Sequence, residues 1–261
     1  MDRRVTTGNH DPSSIVFDGL LLKLTPVLGW ASLILFMVFL YKGSLNIVDL
    51  GLADRSALAL NVVLSLAFFI QHSGMIRQSF RQWIGRFMDE KYNGVVFSLV
   101  SSITLIVFAV LWQDSRYSLA SAQGQERWLL RTVFIACVFG FYWGGRSLGA
   151  FDPFGVGSIR RSLTGRPVKP PVFVVAGPYR WVRHPLYFFT LVMIWSCPDL
   201  TADRVLFNVL WTVWIVAGTM LEERDLVRFF GQEYRNYQTR APMLIPVTIR
   251  PIYGEPEEKR T

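Results

Sequence analysis

The chain has 261 residues, of which 51% are hydrophobic, 15% aromatic and only 18% charged, and its mean hydropathy is +0.32. Soluble domains carry about a quarter charged residues, so neither disorder nor an ordinary soluble domain fits. Lys and Arg number 27 against 19 Asp and Glu, a net charge of +8. Such a balance suits nucleic acid, anionic lipid or an anionic cofactor; at this hydropathy the lipid reading prevails and no nucleic-acid partner is expected. Cys137 and Cys197 lie in apolar runs and are too few for a disulfide framework, so the redox compartment stays open.

A helix that crosses about 30 Å of hydrocarbon needs about 20 mostly apolar residues. Six stretches approach this. The first runs over Pro26–Tyr41, with an earlier start at Ile15 possible despite Lys23. The second is Ser56–Gln71, the third Asn93–Trp112 and the fourth Trp128–Trp143. The fifth, Pro185–Cys197, is short for a span; the sixth, Val205–Leu221, follows after a few residues, which predicts an antiparallel hairpin. The expected fold is all-α, a polytopic integral membrane protein of about six transmembrane helices with a C-terminal hairpin and cytoplasmic cofactor-binding loops. With the N-terminus inside, 21 of the 27 basic residues fall in inner segments, which predicts both termini and the site on the cytoplasmic side of a bacterial inner membrane. The first 14 residues are largely polar and no small-residue cleavage site follows, so no cleavable signal is expected.

The chain then divides into a polar tail at 1–25, four helices over 26–143, a core over 144–246 and a second polar tail at 247–261. Residues 76–88 place Ile76, Phe80, Trp83, Ile84 and Phe87 at helical spacing among arginines, as an interfacial amphipathic helix or a basic connector would. The Gly- and Pro-rich stretch 144–184 is too long to be a passive loop.

Polar residues retained at a membrane protein's inner surface are the first candidates for a site. One cluster is Gly177–Tyr187, GPYRWVRHPLY. His184 precedes Pro185, which biases it to an extended conformation, and Pro185 suits the first position of the following helix. Free amides at that helix start, flanked by Arg183 and His184, form a receptor for a carboxylate or phosphate; the plainer reading makes Arg180 and Arg183 topological anchors and Tyr179, Trp181 and Tyr187 an aromatic belt. The second cluster begins with Glu222 and Glu223 at the end of the sixth helix. Adjacent helical residues point about 100° apart, so one of the two faces a given pocket and the other meets an Arg. Arg224 and Arg228 offer the bland compensation. The hairpin sets the pair against Arg183 and His184, and an anion receptor beside a cation receptor suits an amino acid zwitterion.

RHPLY, followed after one hairpin by EERDL, FGQEY, RNY and a closing Pro246, resembles the isoprenylcysteine carboxyl methyltransferase and phospholipid methyltransferase superfamily. Within it the likeness is nearest to bacterial methanethiol S-methyltransferases, through Gln71, His72, Ser73, Met75, Arg77 and Phe80, through Phe151, Asp152, Phe154 and Gly155, and through Gly165 to Pro167. The resemblance implies S-adenosyl-L-methionine as cofactor, contacted by Tyr179, His184, Pro185, Leu186 and Tyr187, with Pro171 to Val174 beside the adenosine and Glu222, with Glu223 next to it, at the amino group. Prenylcysteine enzymes carry a substrate-binding arginine where this chain has Gly218, which points to a smaller, uncharged acceptor. A thiol acceptor reacts as its thiolate; Arg183 is expected to favour that charge, and His72 is the candidate base or acceptor-positioning group, with a merely structural histidine as its plainer reading.

His10, His72 and His184 are too dispersed for a catalytic zinc site. The leading expectation is a thiol S-methyltransferase making dimethyl sulfide from methanethiol. A phospholipid or prenyl-type methyltransferase with a lipid-like acceptor, an NADPH-dependent membrane reductase and a non-catalytic membrane regulator remain as alternatives; loss of the RHP or EE positions would mark the last, and both are present.

Overall fold

In a computed structural model the chain is described over residues 12–149, 152–165, 172–248 and 250–251. His10, Phe151, Arg166, Pro167 and Pro171, all named above, lie outside them. Nine α-helices form among the described residues: α1 (Pro12–Lys42), α2 (Asp54–Ile76), α3 (Gln78–Ile84), α4 (Asn93–Leu111), α5 (Gly124–Ser147), α6 (Gly157–Thr164), α7 (Pro185–Trp195), α8 (Ala202–Phe230) and α9 (Gln232–Arg240). Two short strands, β1 (Ser118–Ser121) and β2 (Asp199–Thr201), pair antiparallel.

Five helices, α1, α2, α4, α5 and α8, are long and apolar enough to cross a membrane. The remaining expected span, α7, has 11 residues, about 16 Å of helix and roughly half a bilayer core. The chain enters it through a buried segment in which Pro178, Val182, His184 and Pro185 are all shielded. α1 begins well before Pro26, which sits inside the helix; membrane helices tolerate this because the freed carbonyl finds other partners. α8 continues to Phe230, past the expected end at Leu221. The amphipathic helix expected at 76–88 is shorter, because the backbone breaks at Arg77 (φ −63°, ψ 141°) and only Gln78–Ile84 is helical.

The helices neighbour one another in the order α1, α4, α2, α8, α7, α5. Lipid tails are as apolar as leucine, so such helices are held by close packing and buried polar contacts rather than by water exclusion. Both occur here. An aromatic cluster of Phe36, Phe39, Phe68, Phe108, Phe207 and Trp211 fills the centre. On α5, Gly140 and Gly144 form a small-xxx-small seam: a Cβ at Gly140 would lie 2.5 Å from the Phe189 ring and one at Gly144 2.7 Å from Leu186 Cδ2. This brings α7 unusually close to α5.

At one face of the bundle the α4–α5 and α7–α8 connections meet through the β1–β2 pairing. There Asp203 accepts from Trp112 Nε1 and from the Ser115 amide, both at 3.0 Å. Arg204 is 2% exposed and donates to the carbonyls of Phe39 (3.2 Å) and Leu40 (2.7 Å). A guanidinium at a helix C-terminus satisfies orphan carbonyls and complements the dipole. At the opposite face, where α1 begins and α8 ends, Asp18 receives Lys91 Nζ at 2.9 Å and Tyr92 Oη at 2.7 Å.

Gly144→Leu should drive α7 off α5 and lower stability by about 1–3 kcal/mol, read as a fall in the melting temperature of detergent-solubilised protein. Gly19→Ala, where a Cβ meets nothing within 4 Å, should leave it unchanged; equal effects of the two would contradict the close seam.

Candidate functional site

Pro185 opens α7 with His184 before it in a non-helical conformation (φ −125°, ψ 66°), as the His-Pro pair dictates. The amides of Arg183 and His184 are not free for a ligand, however. They donate to the carbonyls of Pro242 (2.9 Å) and Met243 (3.1 Å), because the segment after α9 runs alongside them. The amides of the helix start expected to receive an anion are therefore those of the first turn of α7 itself, and no side chain caps them.

The two adjacent glutamates divide as their 100° offset requires. Glu223 turns into the protein, its side chain 9% exposed, and meets Arg183. Arg183 Nε donates to Oε1 and Nη2 to Oε2, each at 2.8 Å, a bidentate geometry that guanidinium and carboxylate match well. Three further groups reach the same carboxylate: Tyr234 Oη at 2.6 Å, His184 Nε2 at 2.7 Å and Gln238 Nε2 at 2.5 Å. Arg183 spends its remaining Nη1 on the carbonyls of Gln238 and Ala241. The guanidinium expected to favour a thiolate is engaged with Glu223 and with these two carbonyls, and it ties the loop to α8. Arg228 pairs instead with Asp225, at 3.5 Å on the exposed side.

α9 supplies two of these contacts. It can fold back because Gly231 takes a left-handed φ of +60°, which costs a residue without Cβ little. Tyr234 and Tyr237 are then buried, and Tyr237 Oη donates to the Tyr179 carbonyl at 2.5 Å, tying the turn before α7 in place. Burial, followed by the hydrogen bond to Glu223, pushes the Tyr234 phenol up; burial and then the Glu222 charge push Tyr179 up. Both are neutral phenols at physiological pH.

Glu222 points the other way and is 43% exposed. It accepts from Tyr187 Oη at 2.7 Å, and His184 Nδ1 stands 3.9 Å away. Glu222 and Tyr187 line a cavity of about 590 Å³ together with His72, Arg77, Trp214 and Gly218. His72 lies among the rings of Phe68, Phe97 and Trp214, 5.0–5.5 Å between centroids, and its Nδ1 is buried without a hydrogen-bond partner. Trp214 is fixed by a stack on Phe69 at 4.6 Å and by donating Nε1 to Ser73 Oγ at 3.0 Å. A Cβ at Gly218 meets nothing within 4 Å.

Of the residues singled out by sequence, the fold brings His72, Tyr187 and Glu222 into one cavity wall, from α2, α7 and α8. Glu223, Arg183 and His184 form the buried cluster behind it. Leu186 lies on Gly144, Pro185 is buried in the helix start, and Val174 is exposed outside the cavity wall. Sequence reading gave no site role to Trp214 or Tyr234; Trp214 sits four residues before Gly218, one turn back along the same face of α8, and that spacing was the available signal. Among the described residues no group of three or more His, Cys, Asp or Glu is placed to hold a metal ion.

The methanethiol S-methyltransferase of Pseudomonas deceptionensis is 36% identical to this chain over 197 residues, 73% of each. Methanethiol S-methyltransferase 1 of Bradyrhizobium diazoefficiens is 32% identical over 74% of this chain and 68% of its own, and the Mycobacterium tuberculosis methanethiol S-methyltransferase is 29% identical over 85% and 96%. These are the relatives that the Gln71–Phe80 pattern and RHPLY led us to expect. No solved structure matches. The family model described as NnrU protein matches residues 60–249, a stretch that contains every cavity residue named above. The chain belongs to the NnrU protein family.

Proposed function

We propose that this membrane protein S-methylates methanethiol to dimethyl sulfide, with S-adenosylmethionine as the methyl donor. The observation that carries the reading is the cavity that joins Glu222, Tyr187 and His72 from three helices; the relatives' names support the acceptor.

The donor set fits an amino acid end. Glu222 has one strong hydrogen bond, from Tyr187, and among the described residues no Lys or Arg within ion-pair distance, so it has capacity for an ammonium group. When bound, S-adenosylmethionine supplies an electrophilic methyl group on a sulfonium. Glu222 would hold its amino group, Tyr187 would keep that carboxylate oriented, and the Glu223 cluster would fix the helix end on which Glu222 stands. The cavity wall is mainly apolar beyond these groups, so it excludes water from the acceptor, and methyl transfer needs alignment more than strong base catalysis. His72 is the wall residue able to accept the thiol proton, leaving a thiolate as nucleophile.

The site lies at the face that carries most of the basic residues, and by the positive-inside rule this face is cytoplasmic, in a bacterial inner membrane. Gly218 keeps the wall open one turn before Glu222, at i, i+4 on the same helix face.

Two measurements check this. Cells expressing the chain and fed methanethiol should release dimethyl sulfide into the headspace, and His72→Phe should slow release by about a hundredfold; release no greater than from empty-vector cells sinks the thiol reaction, and methylation of lipid extracts instead would favour a lipid-like acceptor. Gly218→Arg should place a guanidinium beside Glu222 and cut turnover on the order of a hundredfold with an unchanged melting temperature. Full activity in Gly218→Arg would mean that the acceptor and donor meet elsewhere.

A further inference from the structure

Resting on the reading above, a zwitterionic amino acid end needs a second receptor: the carboxylate shares a carbon with the ammonium that Glu222 would take, so its partner must stand in the same wall. Arg183 is excluded, since its guanidinium is shared between Glu223 and two carbonyls. The amides of Arg183 and His184 are excluded by Pro242 and Met243. Among the described residues the cavity wall contains one guanidinium, that of Arg77, and no lysine.

Arg77 is the arginine of the wall, and it is available. Its side chain is exposed and, among the described residues, has no ion-pair or hydrogen-bond partner. Neither carboxylate of the wall pairs with it: Glu222 accepts from Tyr187 and Asp225 pairs with Arg228. The backbone explains why this side chain reaches the cavity at all. In an unbroken helix residues five apart point about 140° away from each other, so His72 and Arg77 would not share a wall. The helix breaks at Arg77, whose extended backbone separates α2 from α3, and both residues line the same space.

We infer that Arg77 is the carboxylate-binding residue of the site, pairing with the carboxylate of the methyl donor while Glu222 holds its amino group. A planar guanidinium matches a carboxylate with two parallel hydrogen bonds, which an ammonium cannot do. The residue thereby selects amino acid sulfonium compounds over sulfonium amines of the same size.

The test compares S-adenosylmethionine with its decarboxylated form, which keeps the adenosine, sulfonium and amine. Affinities are measured by calorimetry on the full chain in detergent, for the wild type, Arg77→Ala and Arg77→Lys. The wild type should bind S-adenosylmethionine about tenfold or more tightly than the decarboxylated form. Arg77→Ala should lose that preference, with affinity for the decarboxylated form unchanged, and Arg77→Lys should regain part of it. Unchanged preference in Arg77→Ala would overturn the inference, and would leave the α7 amides as the carboxylate receptor. Equal loss for both ligands would also overturn it, by showing that Arg77 serves the fold. Binding of neither ligand by the wild type would instead overturn the S-adenosylmethionine reading itself, and this inference with it.

Discussion

A carboxylate withdrawn from water at the end of a membrane helix is costly unless both oxygens are saturated and its charge is matched. Glu223 meets both conditions, with two hydrogen bonds from Arg183 and one each from His184, Tyr234 and Gln238. These partners come from the buried approach to α7 and from α9, so one side chain of α8 ties both to its own helix, beside the apolar cluster of Tyr234, Tyr237, Leu226 and Phe230. Removing Arg183, the cation of this group, would leave an unpaired buried charge, at a cost of about 3–5 kcal/mol. The site depends on this because Glu222 can face the cavity only if its neighbour holds the helix at one rotation.

The same requirement organises the rest of the bundle. With no water-driven attraction between helices in lipid, position has to come from shape and from polar contacts with few alternatives. Gly140 and Gly144 give α7 a seat on α5. Arg204 and Asp203 fasten α8 to the end of α1 and to the connection after α4 at the far face. With its two ends clamped in this way, α8 is a rigid rod between the far-face clasp and the Glu223 cluster, and Trp214, Gly218 and Glu222 follow one another along the side that borders the cavity.

Much of this was legible in the sequence. Apolar runs gave the long helices, the short link between α7 and α8 gave the hairpin, and His-Pro gave the start of α7. The division between Glu222 and Glu223 follows from helix geometry alone. What the sequence could not reveal is which Arg meets Glu223, since Arg224 and Arg228 were near in the chain, Arg183 was brought near by the hairpin, and only the fold decides. The burial of Arg204 was not legible because a buried guanidinium is recognisable only once its carbonyl partners from a helix more than 160 residues away are in place. The break at Arg77 was hidden for a related reason: Ile76 to Phe87 keep helical periodicity across it, and no Gly or Pro marks it at that position.

The central claim is that two adjacent glutamates have separate tasks, Glu222 holding the ligand and Glu223 holding the fold. The most direct measurement is a parallel determination of S-adenosylmethionine affinity and melting temperature for Glu222→Gln and Glu223→Gln in the detergent-purified chain. The account predicts that Glu222→Gln loses affinity by about tenfold or more with an unchanged melting temperature, while Glu223→Gln is strongly destabilised and poorly recovered from the membrane. A stable Glu223→Gln variant with impaired binding, beside a Glu222→Gln variant that binds normally, would contradict it.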